Sequence, residues 1–366
     1  MSHSNRAMER VRVLELASVL AGPLAGTALS ERGAQVTKVE CPPHGDVTRS
    51  WRSAGESTSS PTSAYYEAAN GKKELVWMDL RTTEGLSWLD DALANHDVLL
   101  ENFKASDLAR FGLEPADLAR RHPHLIHVRL IGFASDPSRL AYDVVVQAEA
   151  GFMHMNGHPD QPPTRMPVAL MDILASQQML TAVLEGLLER ATGKTGIFAE
   201  VSLEECGIAA LANQATNWLI NGQSPKRNGS GHPNIAPYGD VLPCTEGWIV
   251  LAVGNDRQFA ALCQVLGCSS LTEDAHFQTN ADRVINRGNL VSLLALATNS
   301  WEKEALELAL RKAGAPAGVV RSLPEVFAEG TVGAARLQQN PSGQMRAPVN
   351  GYRMEFLGGV SGNSVD

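Results

Sequence analysis

The stretch that decides the fold is VRVLELASVLAGPLAGTALSERGAQVTKVE, residues 11–40. Residues 11–16 alternate and then become apolar, which is the pattern of a β-strand. A helical run over residues 24–31 follows and ends at Gly33, and residues 35–40 again have the pattern of a strand. A strand, a helix and a second strand in this order predict a βαβ unit, whose two strands lie parallel in one sheet.

This pattern repeats along roughly the first 200 residues. Strand patterns occur at residues 74–80, 97–101, 125–131 and 197–203, and helical patterns at residues 83–95, 172–191 and 204–221. We therefore predict an α/β fold with a large, doubly wound, Rossmann-like parallel sheet. The first strand–helix turn, residues 17–23, lacks the glycine fingerprint of dinucleotide-binding folds, so the topology does not indicate NAD binding.

A polar, glycine-containing stretch at residues 221–231 is the best linker candidate. Beyond it, a strand pattern at residues 248–253 and a helical pattern at residues 258–266 predict a smaller α+β domain. We expect a large domain over residues 1–205, a linker over 206–228, the small domain over 229–318 and a return to the large domain over 319–366.

The composition is that of a soluble globular protein, with 44% hydrophobic and 19% charged residues. The formal net charge of −9 argues against a general nucleic-acid or membrane-surface binder. The five scattered cysteines form no CxxC pair and the histidines show no ligand spacing, so we predict reduced thiols and no metal site. No apolar stretch reaches membrane-span length, and polar residues 1–12 resemble a short disordered leader, so we expect a cytoplasmic protein.

One acidic residue, Asp172, stands among aliphatic neighbours in the run PVALMDILA, residues 167–175. Two roles are open from this pattern. Aspartate is a good N-cap, and Asp172 stands where the long helix is expected to begin. A carboxylate that its neighbours strip of water can also act as a nucleophile or as a general acid/base. The segments that precede Asp172 bear on this choice.

Several short segments, each weak by itself, keep a common order and spacing over nearly the whole chain. They are Leu20-Ala21-Gly22-Pro23, Lys38-Val39-Glu40, residues 45–49, 70–73, 79–81, 97–103 and 108–113, Gly132-Phe133, Tyr142-Asp143, Gln147, Gly157, Pro162-Pro163, Asp172, residues 192–196 and 236–239. Together they resemble the class III CoA-transferases, the CaiB/BaiF family that includes formyl-CoA and carnitine CoA-transferases. The family's Gly-x-His-Thr block after the Ala347-Pro348 region is absent, so this end departs from the family.

The resemblance implies a chemistry for Asp172. The matching family aspartate is the nucleophile, so Asp172 is expected to attack the donor thioester and to form an aspartyl mixed anhydride and then an aspartyl-CoA intermediate. No tightly bound cofactor is implied, because coenzyme A enters as part of the acyl-CoA substrate. The family also implies an interlocked homodimer, with acyl-CoA and carboxylate substrates as partners and neither nucleic acid nor a membrane.

The resemblance also implies which residues contact CoA. They are Val19, Leu20, Arg81, Asn102, Phe103, Arg110 and Tyr142. CoA is anionic, and an acidic protein needs local cations to bind it; the candidates in the first third of the chain are Lys38, Lys72, Lys73, Arg81, Lys104 and Arg110. Each of these, taken singly, is ordinarily a solvated surface charge. Cys41 stands where the formyl-CoA enzyme has a CoA-contacting arginine.

Three more residues are candidates for active-site support. Asp143 matches an acidic position near the active site of some family members, and a helix cap is its other reading. Gly229 and Gly231 lie in the polar stretch 228–234. That stretch is either a lid over the reacting aspartate, as a glycine loop is in formyl-CoA transferase, or simply the end of the linker.

Two other functions stay open. An α-methylacyl-CoA racemase of the same superfamily carries Gly-His-Asp where this chain has Ala141-Tyr142-Asp143, and tyrosine is a poor base at neutral pH. A non-catalytic acyl-CoA-binding relative has no need of a buried carboxylate. The acyl donor and the acceptor are not readable, although adaptable methionines flank the proposed site and Arg165 could meet a second carboxylate.

Overall fold

The structure is a computed structural model that describes residues 7–340 and 343–355. The chain forms two compact units. The first contains residues up to 146, residues 169–207 and residues from 335 onward, and the second contains residues 147–168 and 208–334. Residues 147–168, which the sequence assigns to the large domain, group with the second unit. The domain limits at residues 205, 228 and 318 stay predictions.

Strands and helices are numbered along the chain. The strands are β1 (Arg12–Glu15), β2 (Gln35–Glu40), β3 (Glu74–Trp77), β4 (Val98–Glu101), β5 (Ile126–Ile131), β6 (Ile197–Ser202), β7 (Tyr238–Pro243), β8 (Trp248–Ala252), β9 (Ala317–Val319), β10 (Gln338–Gln339) and β11 (Met345–Arg346). The helices are α1 (Ala21–Glu31), α2 (Ala64–Asn70), α3 (Thr83–Asn95), α4 (Ala105–Phe111), α5 (Pro115–Arg121), α6 (Asp143–Glu149), α7 (Phe152–Met155), α8 (Leu170–Ala191), α9 (Leu203–Ala210), α10 (Ala212–Asn221), α11 (Asp256–Val265), α12 (Asn280–Ile285), α13 (Arg287–Thr298), α14 (Lys303–Ala313), α15 (Leu323–Val326) and α16 (Val332–Arg336). Short 3-10 helices lie at Ala7–Arg10, Val47–Ser50 and Ser269–Thr272.

The sheet of the first unit has six parallel strands in the order β3-β2-β1-β4-β5-β6. Val13 of β1 lies beside Val36 of β2 and Val98 of β4. The predicted parallel α/β sheet is confirmed. Because β1 and β4 are neighbours without being consecutive, the strand order reverses between them, and such a reversal leaves a crevice at the carboxyl ends of the two strands.

Helices cover both faces of this sheet. Leu14 of β1 and Leu99 of β4 pack with buried leucines of α3, α4 and α5. Successive strand residues point to opposite faces, so Val13 and Glu15 face the other side, where α1 and α8 pack against each other. β4 and β5 are buried along their whole length, as expected for strands covered twice.

Two glycines allow α1 to approach β1 closely. A Cβ atom at Gly26 would collide with Oε2 of Glu15, and one at Gly22 would collide with the Cβ of Ala17. A side chain at either position would therefore displace the Glu15 carboxylate or the Ala17 segment. The close packing of α1 keeps the Glu15 carboxylate fully buried.

The second unit has an antiparallel sheet and an apolar core of its own. Strand β8 pairs with β7 and with β9. Helices α11, α13 and α14 contribute to one core with the sheet, through the buried side chains Leu242, Ile249, Leu251, Phe259, Leu262, Leu290, Leu294, Leu306 and Leu310. Arg283 is also buried; it donates to the carbonyl of Ala236 (2.9 Å) and to Asp256 (2.6 Å). The unit therefore has an α+β arrangement.

Two expectations from sequence are wrong in detail. Residues 204–221 form two helices instead of one, because the helix breaks at Leu211 and Ala212 has a φ of +45°. The N-terminal leader predicted for residues 1–12 contains a 3-10 helix and the start of β1, while its first six residues lie outside the described ones. Over residues 7–340 and 343–355, no helix is long and apolar enough to cross a membrane.

Candidate active site

A cavity of about 340 Å³ opens at the carboxyl edge of the parallel sheet. Its walls come from the ends of β1, β2 and β3, from the residue after Asn102 and from helix α4. Of the residues that the resemblance implies, Arg81, Phe103 and Arg110 line it, and so does Cys41. The crevice expected from the strand order is therefore present, and three of the seven implied CoA-contacting residues line it.

The loop from β1 to α1, residues 16–20, contributes one wall and is held by side chains from other strand ends. Lys38 donates to the carbonyl of Ala17 (2.9 Å). The side-chain amide of Asn102 accepts from the N–H of Ser18 (3.1 Å) and donates to the carbonyl of the same residue (3.0 Å). The backbone of this loop is therefore tied to both β2 and β4.

Val19 in this loop has an unusual backbone conformation. Its φ is +74°, a region that β-branched residues rarely adopt. Its N–H donates to Oδ2 of Asp46 (3.1 Å), and the next residue, Leu20, is the N-cap of α1. We refer to Lys38, Asp46 and Asn102 as the loop clamp. Both implied CoA-contacting residues of this loop, Val19 and Leu20, follow the residues that line the cavity.

A buried network of charges stands behind the loop clamp. The ammonium of Lys38, whose side chain is 1% exposed, lies 3.2 Å from carboxylate oxygens of both Glu15 and Asp46. Lys73, also buried, lies 2.7 Å from Glu15. Burial acts to lower the pKa of Lys38, but Glu15 and Asp46 outweigh it and raise that pKa. Burial lowers the pKa of Lys73 to about 7 against the attraction of Glu15. Reading these two lysines as solvated surface charges is therefore wrong.

The aspartate of the loop clamp is fully supplied with donors. Its Oδ1 accepts from the N–H (3.0 Å) and the hydroxyl (2.7 Å) of Thr48, and its own N–H donates to Glu40 (2.9 Å). Burial acts to raise the pKa of Asp46, but the charge of Lys38 and the bonds from Thr48 outweigh it and lower that pKa. Asp46 is thus held as a buried carboxylate anion.

A second ion pair stands beside this network. Glu40 accepts from Arg49 (2.6 Å) and from the hydroxyl of Tyr66 (2.6 Å), and the Arg49 guanidinium lies over the Tyr66 ring. Burial acts to raise the pKa of Glu40, but the hydrogen bonds from Arg49 and Tyr66 outweigh it and lower that pKa. These groups anchor the segment that carries Asp46.

The cationic part of the cavity wall is formed by Arg81 and Arg110, both exposed. Arg81 makes a two-pronged contact with Asp79, with both N–O distances 2.8 Å, and also donates to the sulfur of Cys41 (3.4 Å). The hydrogen bonds and charge of Asp79 raise the pKa of Arg81. Arg81 therefore remains a cation, with part of its charge offset by Asp79.

Phe103 is positioned by a buried carboxylate at the end of β4. Its N–H donates to Glu101 (2.8 Å), and the other oxygen of Glu101 lies 3.0 Å from Nε2 of His127 on β5. Phe103 stacks edge-on against Phe111 of α4, with 5.1 Å between the ring centroids. The aromatic wall of the cavity is therefore fixed by backbone and ring contacts together.

Asp172 lies in the first turn of α8, as its third residue. The N-cap is Ala169 and no side chain caps the helix at that position, so the interpretation of Asp172 as an N-cap is wrong. Burial raises the pKa of Asp172 to about 7, and the charge of Asp143 adds to the effect. Near neutral pH this carboxyl group is thus present in both its protonated and its ionised form.

Asp143 satisfies the helix end that Asp172 leaves open. It is buried, it begins α6, and its Oδ1 accepts from the N–H of Met171 in the first turn of α8 (2.7 Å). The first N–H groups of a helix have no partner within the helix, so this bond stabilises the turn. The bond also keeps the Asp143 carboxylate next to the residue that precedes Asp172.

Sequence reasoning missed Tyr65, at the start of α2. Burial raises the pKa of Tyr65 to about 12, and the charges of Asp172, Asp143 and Asp46 add to the rise. The phenol is therefore within electrostatic reach of both the loop clamp and the Asp172 turn. It also packs edge-on against Trp51, with 5.2 Å between centroids. No spacing or periodicity singles Tyr65 out, since only the fold brings these three carboxylates within electrostatic reach of it.

The remaining candidates lie elsewhere. Tyr142 precedes α6 and is 56% exposed. Gly229 and Gly231 belong to the second unit. The N–H of Gly229 donates to the carbonyl of Gly157 (3.0 Å), and a Cβ at Gly231 would lie 2.7 Å from a guanidinium nitrogen of Arg287. Over the described part of the chain, no cluster of three His, Cys, Asp or Glu residues is arranged to hold a metal ion.

Comparison with known proteins identifies the family of this chain. The model of CoA-transferase family III matches residues 8–358. The succinate–glutarate CoA-transferase of Agrobacterium fabrum is 36% identical over 366 residues, covering 98% of this chain and 90% of that protein. The succinyl-CoA:glutarate CoA-transferase of Homo sapiens is 32% identical over 330 residues, covering 88% and 74%.

A solved structure gives the same result for the fold. A CAIB/BAIF family protein from Brucella suis superimposes with a TM-score of 0.82 at 37% sequence identity, over 96% of this chain and 93% of that one. The family match, the sequence relatives and the structural neighbour extend over both compact units. The chain belongs to CoA-transferase family III and is a CoA-transferase.

Proposed function

We propose that this enzyme moves CoA from an acyl-CoA donor to a carboxylic acid through covalent intermediates on Asp172. The observation that carries the proposal is the state of that carboxyl group. It lies in the first turn of α8, it caps nothing, and its pKa is raised to about 7 by burial and by Asp143. A poorly solvated carboxylate is a stronger nucleophile than a hydrated one.

The proposed exchange balances at each step. An Asp172 oxygen attacks the thioester carbonyl carbon and the C–S bond breaks, so that CoA leaves as a thiolate and the acyl group stays on Asp172 as a mixed anhydride. The thiolate then attacks the aspartyl carbonyl, which releases the donor acid as a carboxylate and leaves an aspartyl-CoA thioester. The acceptor carboxylate attacks this thioester, and the released thiolate finally attacks the acceptor's acyl carbon. The product is a new acyl-CoA and a free Asp172 carboxylate, with the negative charge conserved throughout.

We propose that the cavity at the sheet edge binds CoA. Arg81 and Arg110 supply cations for its phosphates, and Phe103 supplies an apolar surface. Val19 and Leu20 present backbone next to it, and Asn102 acts by holding this backbone through Ser18. Cys41 beside Arg81 provides no positive charge of its own. Tyr142 is proposed to contact CoA from the exposed chain before α6.

Asp143 is proposed to support the reaction by holding the first turn of α8 and by keeping the pKa of Asp172 high. Gly229 and Gly231 are proposed as active-site support, in a stretch that is either a lid or the end of the linker. Positive φ at Gly229 and close packing at Gly231 fit a loop whose backbone path requires glycine.

We propose a short dicarboxylic acid as the acceptor. The named substrates of the relatives from Agrobacterium fabrum and Homo sapiens, succinate or succinyl-CoA and glutarate, are four- and five-carbon dicarboxylic acids or a thioester of one. A homodimer is also proposed, since helix α10 exposes an apolar surface formed by Trp218, Leu219 and Ile220. Light scattering at micromolar concentration tests the assembly, and a monomer there excludes it.

The function is tested by incubating the enzyme with succinyl-CoA and a panel of mono- and dicarboxylic acids and detecting new thioesters by mass spectrometry. We expect glutaryl-CoA from glutarate and no product with Asp172→Asn, whose amide cannot form the anhydride. Hydroxylamine added with acyl-CoA should inactivate only the wild type and leave a hydroxamate on the peptide that contains Asp172. Turnover of monocarboxylates alone would reject the dicarboxylate proposal, and full activity of Asp172→Asn would reject the nucleophile.

The racemase alternative is tested in the same samples. A 2-methylacyl-CoA incubated without an acceptor in deuterated water should gain no deuterium at its α-carbon, because a transferase abstracts no proton there. Rapid deuterium uptake would favour a racemase.

A further inference from the structure

We infer that Lys38 and Asp46 of the loop clamp are positioning residues for acyl-CoA binding, acting through the backbone of the β1–α1 loop. This inference rests on the proposed function, which places CoA in the cavity beside that loop. Neither residue is needed as a direct CoA ligand. Their contribution is to hold Val19 and its neighbours in one conformation before the substrate arrives.

Every polar group of the Lys38 and Asp46 side chains has a hydrogen-bond partner. Lys38 has three N–H donors, and its three partners are Glu15, Asp46 and the Ala17 carbonyl. Oδ2 of Asp46 accepts from both Lys38 and the N–H of Val19. The lysine therefore ties the loop at one residue directly and at a second residue through the aspartate.

The backbone of Val19 has a strained conformation that the loop clamp stabilises. A valine with a φ of +74° is strained by its branched Cβ and persists only where its surroundings fix it. The bond from its N–H to Asp46 supplies such a constraint, and the bonds of Asn102 to Ser18 supply another on the preceding residue. Without them, Val19 is free to relax to negative φ and to carry the cavity wall with it.

A cavity wall that is ordered before the substrate arrives should strengthen the binding of acyl-CoA. If the loop were mobile, acyl-CoA would have to order it, and that entropic cost would weaken binding. The pairing of Asp46 with Lys38 has a second effect. Asp46 itself borders the cavity, and an unpaired carboxylate there would repel the anionic CoA.

The test is Asp46→Asn, with Asp117→Asn as the matched control, a half-buried residue of α5 that does not line the cavity. Asparagine keeps the size of the side chain, but its NH2 group replaces one of the two oxygens and then faces groups that are themselves hydrogen-bond donors. We expect KM for acyl-CoA to rise about tenfold or more with kcat within about threefold of wild type, as for a lost charge-assisted hydrogen bond. Hydrogen exchange of peptides that cover residues 16–24 should accelerate, while Asp117→Asn leaves KM and exchange unchanged.

A second substitution separates positioning from other effects of the lost charge. Glycine adopts positive φ without strain, so Val19→Gly combined with Asp46→Asn should recover severalfold in KM relative to Asp46→Asn alone. Additive effects of the two substitutions would overturn the inference. If Asp46→Asn does not fold, Asn102→Ala removes two bonds of the loop clamp without leaving a buried charge, and the same rise in KM and in exchange is expected.

The outcomes distinguish the inference from the proposed function. A wild type that transfers CoA, with an inactive Asp172→Asn and an Asp46→Asn of unchanged KM, rejects the inference alone. A fall in kcat at constant KM also rejects it, since that result assigns Asp46 to the chemical step. A wild type without any transferase activity rejects the proposed function, and the hydrogen-exchange measurement still reports on the loop clamp.

Discussion

Two regions of the first unit bury carboxylates and shift their pKa values in opposite directions. Around Lys38, the carboxylates of Glu15 and Asp46 are buried with cations and hydrogen-bond donors, and the pKa of Asp46 is lowered. In the first turn of α8, Asp172 has another carboxylate, Asp143, as its charged neighbour, and the pKa of Asp172 is raised to about 7.

The difference shows that burial by itself does not decide what a carboxylate does. Burial acts to raise the pKa at both places. Where cations and donors outweigh the effect of burial, the carboxylate stays ionised and has a structural role. Where a like charge adds to it, the group titrates near neutral pH and is available for chemistry. The loop clamp and the proposed nucleophile thus use the same residue type in different environments.

The largest expected effect comes from breaking the Lys38 network. Lys38→Met leaves Glu15 and Asp46 buried with one cation fewer, and removing one partner of a buried ion pair costs about 3–5 kcal/mol. Urea unfolding followed by circular dichroism measures this loss of stability. The control is Lys72→Met at an exposed position, for which we expect less than about 0.5 kcal/mol. Similar stability of the two variants would contradict a structural role for the network.

Asp172→Asn should stabilise the folded protein at neutral pH, whereas Lys38→Met destabilises it. The pKa of Asp172 is about 7 in the folded state and about 3.9 in the unfolded chain, so the folded state holds the proton more tightly between these values. Wild-type stability therefore loses an increment as pH rises from about 4 through 7. The variant lacks this loss and should gain about 2.5 kcal/mol over wild type between pH 5 and pH 8. Urea unfolding at both pH values measures it, and an equal difference at the two would refute the raised pKa.

The adjacent tyrosines Tyr65 and Tyr66 test the same contrast between the two regions, with smaller expected changes in stability. Tyr66 donates to Glu40 and accepts from Arg49, so Tyr66→Phe should cost about 1–2 kcal/mol of stability. Tyr65 instead feels the charges of three carboxylates, so Tyr65→Phe should change stability by less than about 0.5 kcal/mol and act on turnover. Thermal unfolding and kcat measured on both variants check this division, and a reversed pattern would contradict it.

The smallest expected effect is on the pH profile. The nucleophile must be ionised, so kcat/KM should rise with pH and level off above the Asp172 pKa of about 7. Asp143→Asn removes the like charge while its amide oxygen still accepts from Met171. The midpoint should move to lower pH, by less than burial contributes, because burial is the larger cause. Asp136→Asn, at an exposed site, should leave the midpoint in place; an upward shift in Asp143→Asn would contradict the assigned cause.

Local patterns predicted the secondary structure of the first unit closely. Helix α3 has the predicted limits, and β2 coincides with the predicted strand, because amphipathic periodicity and capping residues act within a few neighbours. The break at Leu211 was not predictable in this way. Helical periodicity continues through it, and the positive φ of Ala212 has no glycine or proline to mark it.

The sequence by itself determined the βαβ order, the parallel sheet and the family, since these depend on runs and short motifs, each made of residues that are neighbours along the chain. The tertiary structure alone decided the state of Lys38 and of Asp172. Lys38 meets Glu15 across 23 positions, Asn102 meets Ser18 across 84, and Asp143 caps a helix 28 positions away. A pKa depends on burial and on charges within a few ångströms, and folding sets both by joining distant segments. For that reason Lys38 is a buried structural cation and Asp172 is not a helix cap.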